Sequence, residues 1–131
     1  MAGADRTMAR ERAMELLYEA DAKTMTVGEI LAALPVTPDD YAVDLVTGIT
    51  EHSGRIDEVI TRLAPDWPME RMPTVDRAVL RLGVYELAER PDVPTAVILD
   101  EAVALAKRYS TDESGKFVNG VLASAARELR P

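Results

Sequence analysis

Apolar side chains recur at intervals of three and four along almost the whole chain, and nowhere do they alternate as a half-buried strand requires. That period predicts an all-α fold, because a helix carrying such a stripe must bury it against other helices. The stripe Ala13, Leu16, Leu17 and Ala20 predicts a first helix from Asp5 to Lys23, with Glu11, Glu15 and Glu19 on its solvated side. Thr26 and Glu29 stand at the capping-box spacing ahead of ILAAL, and Thr37 with Pro38, Asp39 and Asp40 signals a third helix burying Tyr41, Leu45 and Ile49. The pattern breaks at His52-Ser53-Gly54 and restarts as RIDEVITRLA, so a seam between sub-bundles is expected there.

The proline-rich PDWPMERMP, from Pro65 to Pro73, predicts a loop with at most one helical turn. TVDRAVLRLGVYELAER follows as a long helix with Thr74 as its N-cap, stopped by Pro91. The next helix, Thr95 to Tyr109, carries Lys107 and Arg108 in its last turn, where the macrodipole favours cations. A last helix from Ser114 buries Val118, Leu122, Ala125 and Leu129. Inside it, Asn119 and Gly120 read as structural, Gly120 serving the close approach of a neighbouring helix. About seven helices with short links predict one domain over residues 1–131, built as two sub-bundles of approximately 1–64 and 65–131.

Length and charge narrow the function classes. A chain of 131 residues, 47% of them apolar, can bury a core without disulfides or metal, and no apolar run approaches the roughly 20 residues of a membrane span. The N-terminus lacks the apolar centre of a secretion signal and the chain has no cysteine, so a cytoplasmic protein is expected. The net charge of −8 is the wrong sign for holding nucleic acid by phosphate neutralisation alone. Any RNA role then needs local cation clusters or a basic partner.

Catalytic and metal constellations find no support. Ser114-Gly115-Lys116 lacks the upstream glycine, the hydroxyl residue and the strand of a phosphate loop. His52 beside Ser53 cannot form a base-nucleophile pair, since adjacent side chains diverge. Asp40 and Asp44 share a helix face with no histidine or cysteine to complete a metal set. The expectation is a protein without catalytic residues, metal or cofactor. Cations in particular places remain. Arg6 and Arg10 lie one turn apart at the start of the first helix, where a phosphate or the acids Asp5 and Glu11 could meet them, and Arg77 and Arg81 repeat the spacing.

Several segments together resemble a known family. ARERAMELLYEAD, then VDRAVLRLGVYELAERPDVPTAVILDEAVALAKRYSTDESGKFVNGVL, look like the NusB family of bacterial transcription antitermination factors over nearly the whole chain. The resemblance implies an all-helical fold of two three-helix sub-bundles plus a short helix, without catalytic activity. It implies binding to the boxA element of nascent ribosomal RNA together with NusE, a small-subunit ribosomal protein, within an RNA polymerase antitermination complex.

Carried over by position, the family's arginine-rich start falls on Arg6 and Arg10, with Thr7 and Met8 where many members have arginines. Its other RNA surface falls on Arg81, Glu113, Lys116 and Phe117. Trp67 is either a further RNA contact or a packing anchor. Asp76 and Glu86 match positions facing NusE. An alternative role is that of an acidic helical interaction module with little RNA binding of its own. Self-association into a homodimer that covers the Arg6 and Arg10 flank is a further expectation to be tested.

Overall fold

Thr26 shows how local chemistry sets a helix boundary. Its hydroxyl accepts from the Glu29 N–H at 3.1 Å while the Glu29 carboxylate accepts from the Thr26 N–H at 2.9 Å, closing the capping box that the spacing predicted. The two bonds from Thr26, backbone first, hold the Glu29 carboxyl below its ordinary range.

The computed structural model describes residues 2–131, with side chains described from Asp5 onward. Among the described residues there are seven α-helices and no strand. They are α1 (Ala2–Lys23), α2 (Val27–Ala33), α3 (Asp40–Glu51), α4 (Ser53–Leu63), α5 (Thr74–Glu89), α6 (Thr95–Tyr109) and α7 (Asp112–Leu129), with a 3₁₀ turn at Met69–Arg71 in the proline-rich loop. None of these helices is long and apolar enough to cross a membrane.

The caps of three later helices show how local chemistry places their starts. Within the start signal from Thr37 to Asp40, the N-cap of α3 is Asp39, whose carboxylate accepts from the Tyr41 N–H at 2.9 Å; a charged acceptor makes a strong cap. Thr74 is the first helical residue of α5, with Pro73 before it. α7 starts two residues ahead of Ser114, because the Thr111 hydroxyl accepts from the Ser114 N–H at 2.9 Å and draws Asp112 and Glu113 into the first turn.

α5 is the axis of the molecule. It packs against α1, α3, α4, α6 and α7, and its buried residues, among them Val79, Leu80, Leu82, Val84 and Leu87, run around the helix instead of along one stripe. A helix apolar on all sides must be enclosed by others. α4 packs more extensively on α5 and α7 than on α3, so residues 53–63 lean across the break at His52 onto the second half. Close helix contact rests on Gly83, where an added Cβ would stand 2.5 Å from Leu122 Cδ1. The same role expected of Gly120 is not found, since nothing lies within 4 Å of a Cβ placed there.

Arg130 closes the end of α5. Its guanidinium donates to the carbonyls of Glu86, Leu87 and Arg90 at 3.1, 3.0 and 2.8 Å, to Val93 O at 2.7 Å and to the Thr95 hydroxyl at 3.1 Å. Carbonyls left over at a helix C-terminus gain most from a cation, which also meets the negative end of the dipole. Arg130→Ala is expected to lower stability by about 2 kcal/mol, the magnitude of charged hydrogen bonds lost from a half-buried site. Arg130→Lys should restore less than half of that, because an ammonium cannot span the same acceptors. Urea denaturation of the three proteins measures both effects, and a loss below about 0.5 kcal/mol would refute the clamp.

Candidate nucleic-acid and partner interface

One predicted site residue, Arg10, lies inside the protein. Arg10 is 3% exposed, and its guanidinium donates from Nε and Nη2 to the two carboxylate oxygens of Glu86 at 2.8 and 2.9 Å and from Nη1 to Glu101 at 2.7 Å. Glu86 is 1% exposed and accepts a third bond, from the Tyr41 hydroxyl, at 2.7 Å. Burial works against the Arg10 charge, yet the hydrogen bond and charge of Glu86, with Tyr41 and Glu101, more than offset it and raise the Arg10 pKa. Burial, then the bond to Glu86, raises that of Tyr41. The junction ties α1, α3, α5 and α6 together.

Arg10 and Glu86 are both buried in this structure, the donors of Arg10 being committed to the buried carboxylate of Glu86 and the half-buried one of Glu101. Asp76 is buried as well. It is 0% exposed in the first turn of α5, and neither of its oxygens has a hydrogen-bond partner among the described residues. The positive end of the α5 dipole offsets part of the desolvation of that carboxylate.

Arg6 stays at the surface. It donates to Asp92 at 3.1 Å and its guanidinium stacks 4.5 Å from the centroid of the Tyr41 ring, on which Arg90 also stacks at 4.7 Å. Tyr41 and Arg90, which the sequence expectation passed over as ligands of this cluster, therefore fix where Arg6 sits. An open groove of about 520 Å³ runs beside Arg6 between the starts of α1 and α6, floored by Val93, Pro94 and the 41% exposed Val97.

At the start of α7, Lys116 and Glu113 are both exposed and only 3.4 Å apart, a pair worth little in water. Phe117 is half-buried, with its ring in edge contact with Trp67 at 4.6 Å between centroids, and both rings pack on the core. Trp67 is thus a packing anchor that also positions Phe117. Arg81 lies apart from them. It grips Asp57 with two bonds of 2.9 and 3.1 Å at the rim of a second groove, about 550 Å³, between α1, α2, α3, α4 and α5. No described contact joins Arg81 to Lys116 or Phe117.

Most of the arginines are tied to acids of the same chain. Arg77 bonds to Asp21, Arg62 to Glu58 and Glu128, Arg90 to Asp44 and Asp92, and Arg108 to Glu11. Arg55, Arg71, Lys107 and Arg127 are exposed and make no ion pair among the described residues. Of these, Arg71 lies in the same loop as Trp67, and Lys107 lies in the last turn of α6, which leads into the start of α7 that carries Lys116 and Phe117.

These features define an all-helical protein whose core is locked by a buried ion-pair junction and whose few uncommitted cations are carried on helix ends and loops. Comparison with known proteins makes the class specific. The NusB family model matches residues 7–127. The transcription antitermination protein NusB of Beutenbergia cavernae is 47% identical, with 95% of this chain and 90% of that protein covered. The structure of T. maritima NusB superposes with a TM-score of 0.85 at 36% identity, covering 96% of this chain and 93% of that one. A crystal structure of antitermination factors NusB and NusE in complex with dsRNA superposes at 0.77 with 30% identity, covering 95% of this chain and 98% of the matched one. The chain belongs to the NusB family.

The junction makes a stability prediction. Glu86→Ala leaves the Arg10 guanidinium and the Tyr41 hydroxyl without their buried acceptor and should lower stability by about 3–5 kcal/mol, whereas the double change Arg10→Met, Glu86→Leu should recover part of that loss. Chemical denaturation decides it; a single-variant loss under about 1 kcal/mol would mean the pair is not the lock.

Asp92 makes a pH prediction. The hydrogen bond from Arg90, opposed by burial and helped by the bond from Arg6, lowers its carboxyl from 3.8 to about 2. A depressed carboxylate contributes stability that is complete above the ordinary value and is lost as the pH falls through the folded one. The contribution of Asp92 should therefore fade between about pH 4 and pH 2, and Asp92→Asn should flatten the melting temperature over that window. An unchanged acid slope in the variant would contradict this.

Proposed function

We propose that this protein is a transcription antitermination factor that binds boxA RNA of nascent ribosomal transcripts jointly with a NusE-like ribosomal protein and promotes read-through by RNA polymerase. The likeness to the NusB and NusE complex with RNA, together with family membership along residues 7–127, supports the reading above all. The charge distribution supports it physically. A chain of net charge −8 with most arginines held in internal ion pairs has few cations left for phosphate, so a basic partner supplies the missing field.

On this reading Arg6, Arg81, Glu113, Lys116 and Phe117 face RNA. Arg6 and Arg81 exchange Asp92 and Asp57 for phosphate, Lys116 contributes a charge already in solvent, and Phe117 offers a ring edge beside Trp67 to an exposed base. Arg10, Glu86 and Asp76 keep the scaffold that presents them. The same internal pairing favours a second reading, an acidic module that binds NusE and leaves RNA affinity unchanged.

Fluorescence anisotropy of a labelled boxA RNA separates the two. This protein with NusE should bind at least tenfold more tightly than NusE alone, and Lys116→Ala should weaken the joint complex with a salt slope smaller by about 0.7, the value for one single-strand phosphate contact. Binding no tighter with both proteins than with NusE alone would remove the RNA role and leave the adaptor.

A further inference from the structure

Gly115 has a neighbour that the family resemblance does not account for. A Cβ at this buried position would stand 2.7 Å from Lys107 Cγ, 3.1 Å from Cε and 3.4 Å from Cδ. The aliphatic stem of Lys107, near the end of α6, therefore lies across the first turns of α7, in a channel that exists because residue 115 has no side chain. Any larger residue would have to push the stem aside.

The ammonium at the end of that stem is not neutralised. Lys107 is exposed and makes no ion pair among the described residues, although the acids Asp112 and Glu113 stand in the same turn that its stem crosses. A lysine normally gives up much rotamer entropy when its stem is fixed. Here the stem is already laid down by packing, so less of that freedom remains to be lost when a phosphate is bound. Lys116 follows Gly115 directly, and Phe117 with Trp67 lies one residue further. Two cations and an aromatic edge thus flank one turn.

We propose that Lys107 is an RNA-backbone contact of this protein and that Gly115 is the residue that positions it. The proposal rests on the RNA-binding reading above and adds to it a cation whose usefulness depends on a glycine in another helix. In this assignment Gly115 works through shape, by letting the Lys107 stem cross α7, and the ammonium meets phosphate alongside Lys116.

The test is a double-mutant cycle on the full chain with NusE and labelled boxA RNA. Lys107→Gln keeps most of the stem and removes the charge; it should weaken binding several-fold and reduce the salt slope by about 0.7. Gly115→Ala gains helix propensity inside α7 but must move the Lys107 stem, so the protein should stay folded with a small change in melting temperature, yet RNA binding should weaken because the stem is displaced. The double variant should bind no worse than Lys107→Gln alone, because the alanine acts only through Lys107. Arg127→Gln, which removes the same charge at the other end of α7, controls for net charge and should change the slope little.

Circular dichroism and melting confirm that each variant is folded. If the unaltered protein with NusE binds RNA and Lys107→Gln binds as well, the proposal is overturned while the RNA reading stands. If the two single losses add, the role of Gly115 is overturned. Loss of NusE binding in Lys107→Gln, read by calorimetry without RNA, would make this a protein-facing cation and overturn the assignment as well. Absence of RNA binding by the unaltered pair removes both readings together.

Discussion

The buried contact of Arg10 with Glu86 is the constraint on which the rest of the structure depends. It joins the first helix to the central one, and Glu101 and the Tyr41 hydroxyl bring α6 and α3 to the same point. A carboxylate that accepts three bonds from fixed donors tolerates little rotation, so it sets the relative register of four helices more sharply than apolar packing does. Around it the α5 helix, buried on nearly all sides, supplies the bulk of the hydrophobic contact.

The same junction shapes the surface. Tyr41, held by Glu86, presents its ring to Arg6 and Arg90, and those two arginines share Asp92. Arg6 thus reaches solvent already oriented and already paired. Binding a phosphate there is an exchange of one anion for another, which favours ligands of high charge density over isolated ions. Where acids are so numerous, cations without a carboxylate partner carry disproportionate weight, and they sit on helix ends and loops.

Much of this was legible in the amino-acid order. The helical period and its interruptions located seven helices, the Thr26 and Glu29 capping box among them, and the resemblance in the second half named the family that the comparisons show. Other features were not legible. Nothing local distinguishes Arg10 from Arg6, one turn away on the same flank, yet one is buried among carboxylates from residues 86 and 101 and the other stays at the surface. Asp76 and Glu86 look like exposed helix acids in a chain of acids until the surrounding helices close over them. Glycines mislead in the same way: Gly120 sits against nothing, while Gly83 and Gly115 make room for side chains from other helices.

The sequence alone determined the secondary structure, the fold class and the scarcity of positive charge, because helix period, capping and net charge depend on near neighbours or on composition. Which charges are spent inside the molecule and which remain for a partner was decided only by the tertiary structure. Ion pairs such as Arg10 with Glu86, and the passage of the Lys107 stem over Gly115, link residues from separate helices, and their geometry exists only once α1, α5, α6 and α7 have packed.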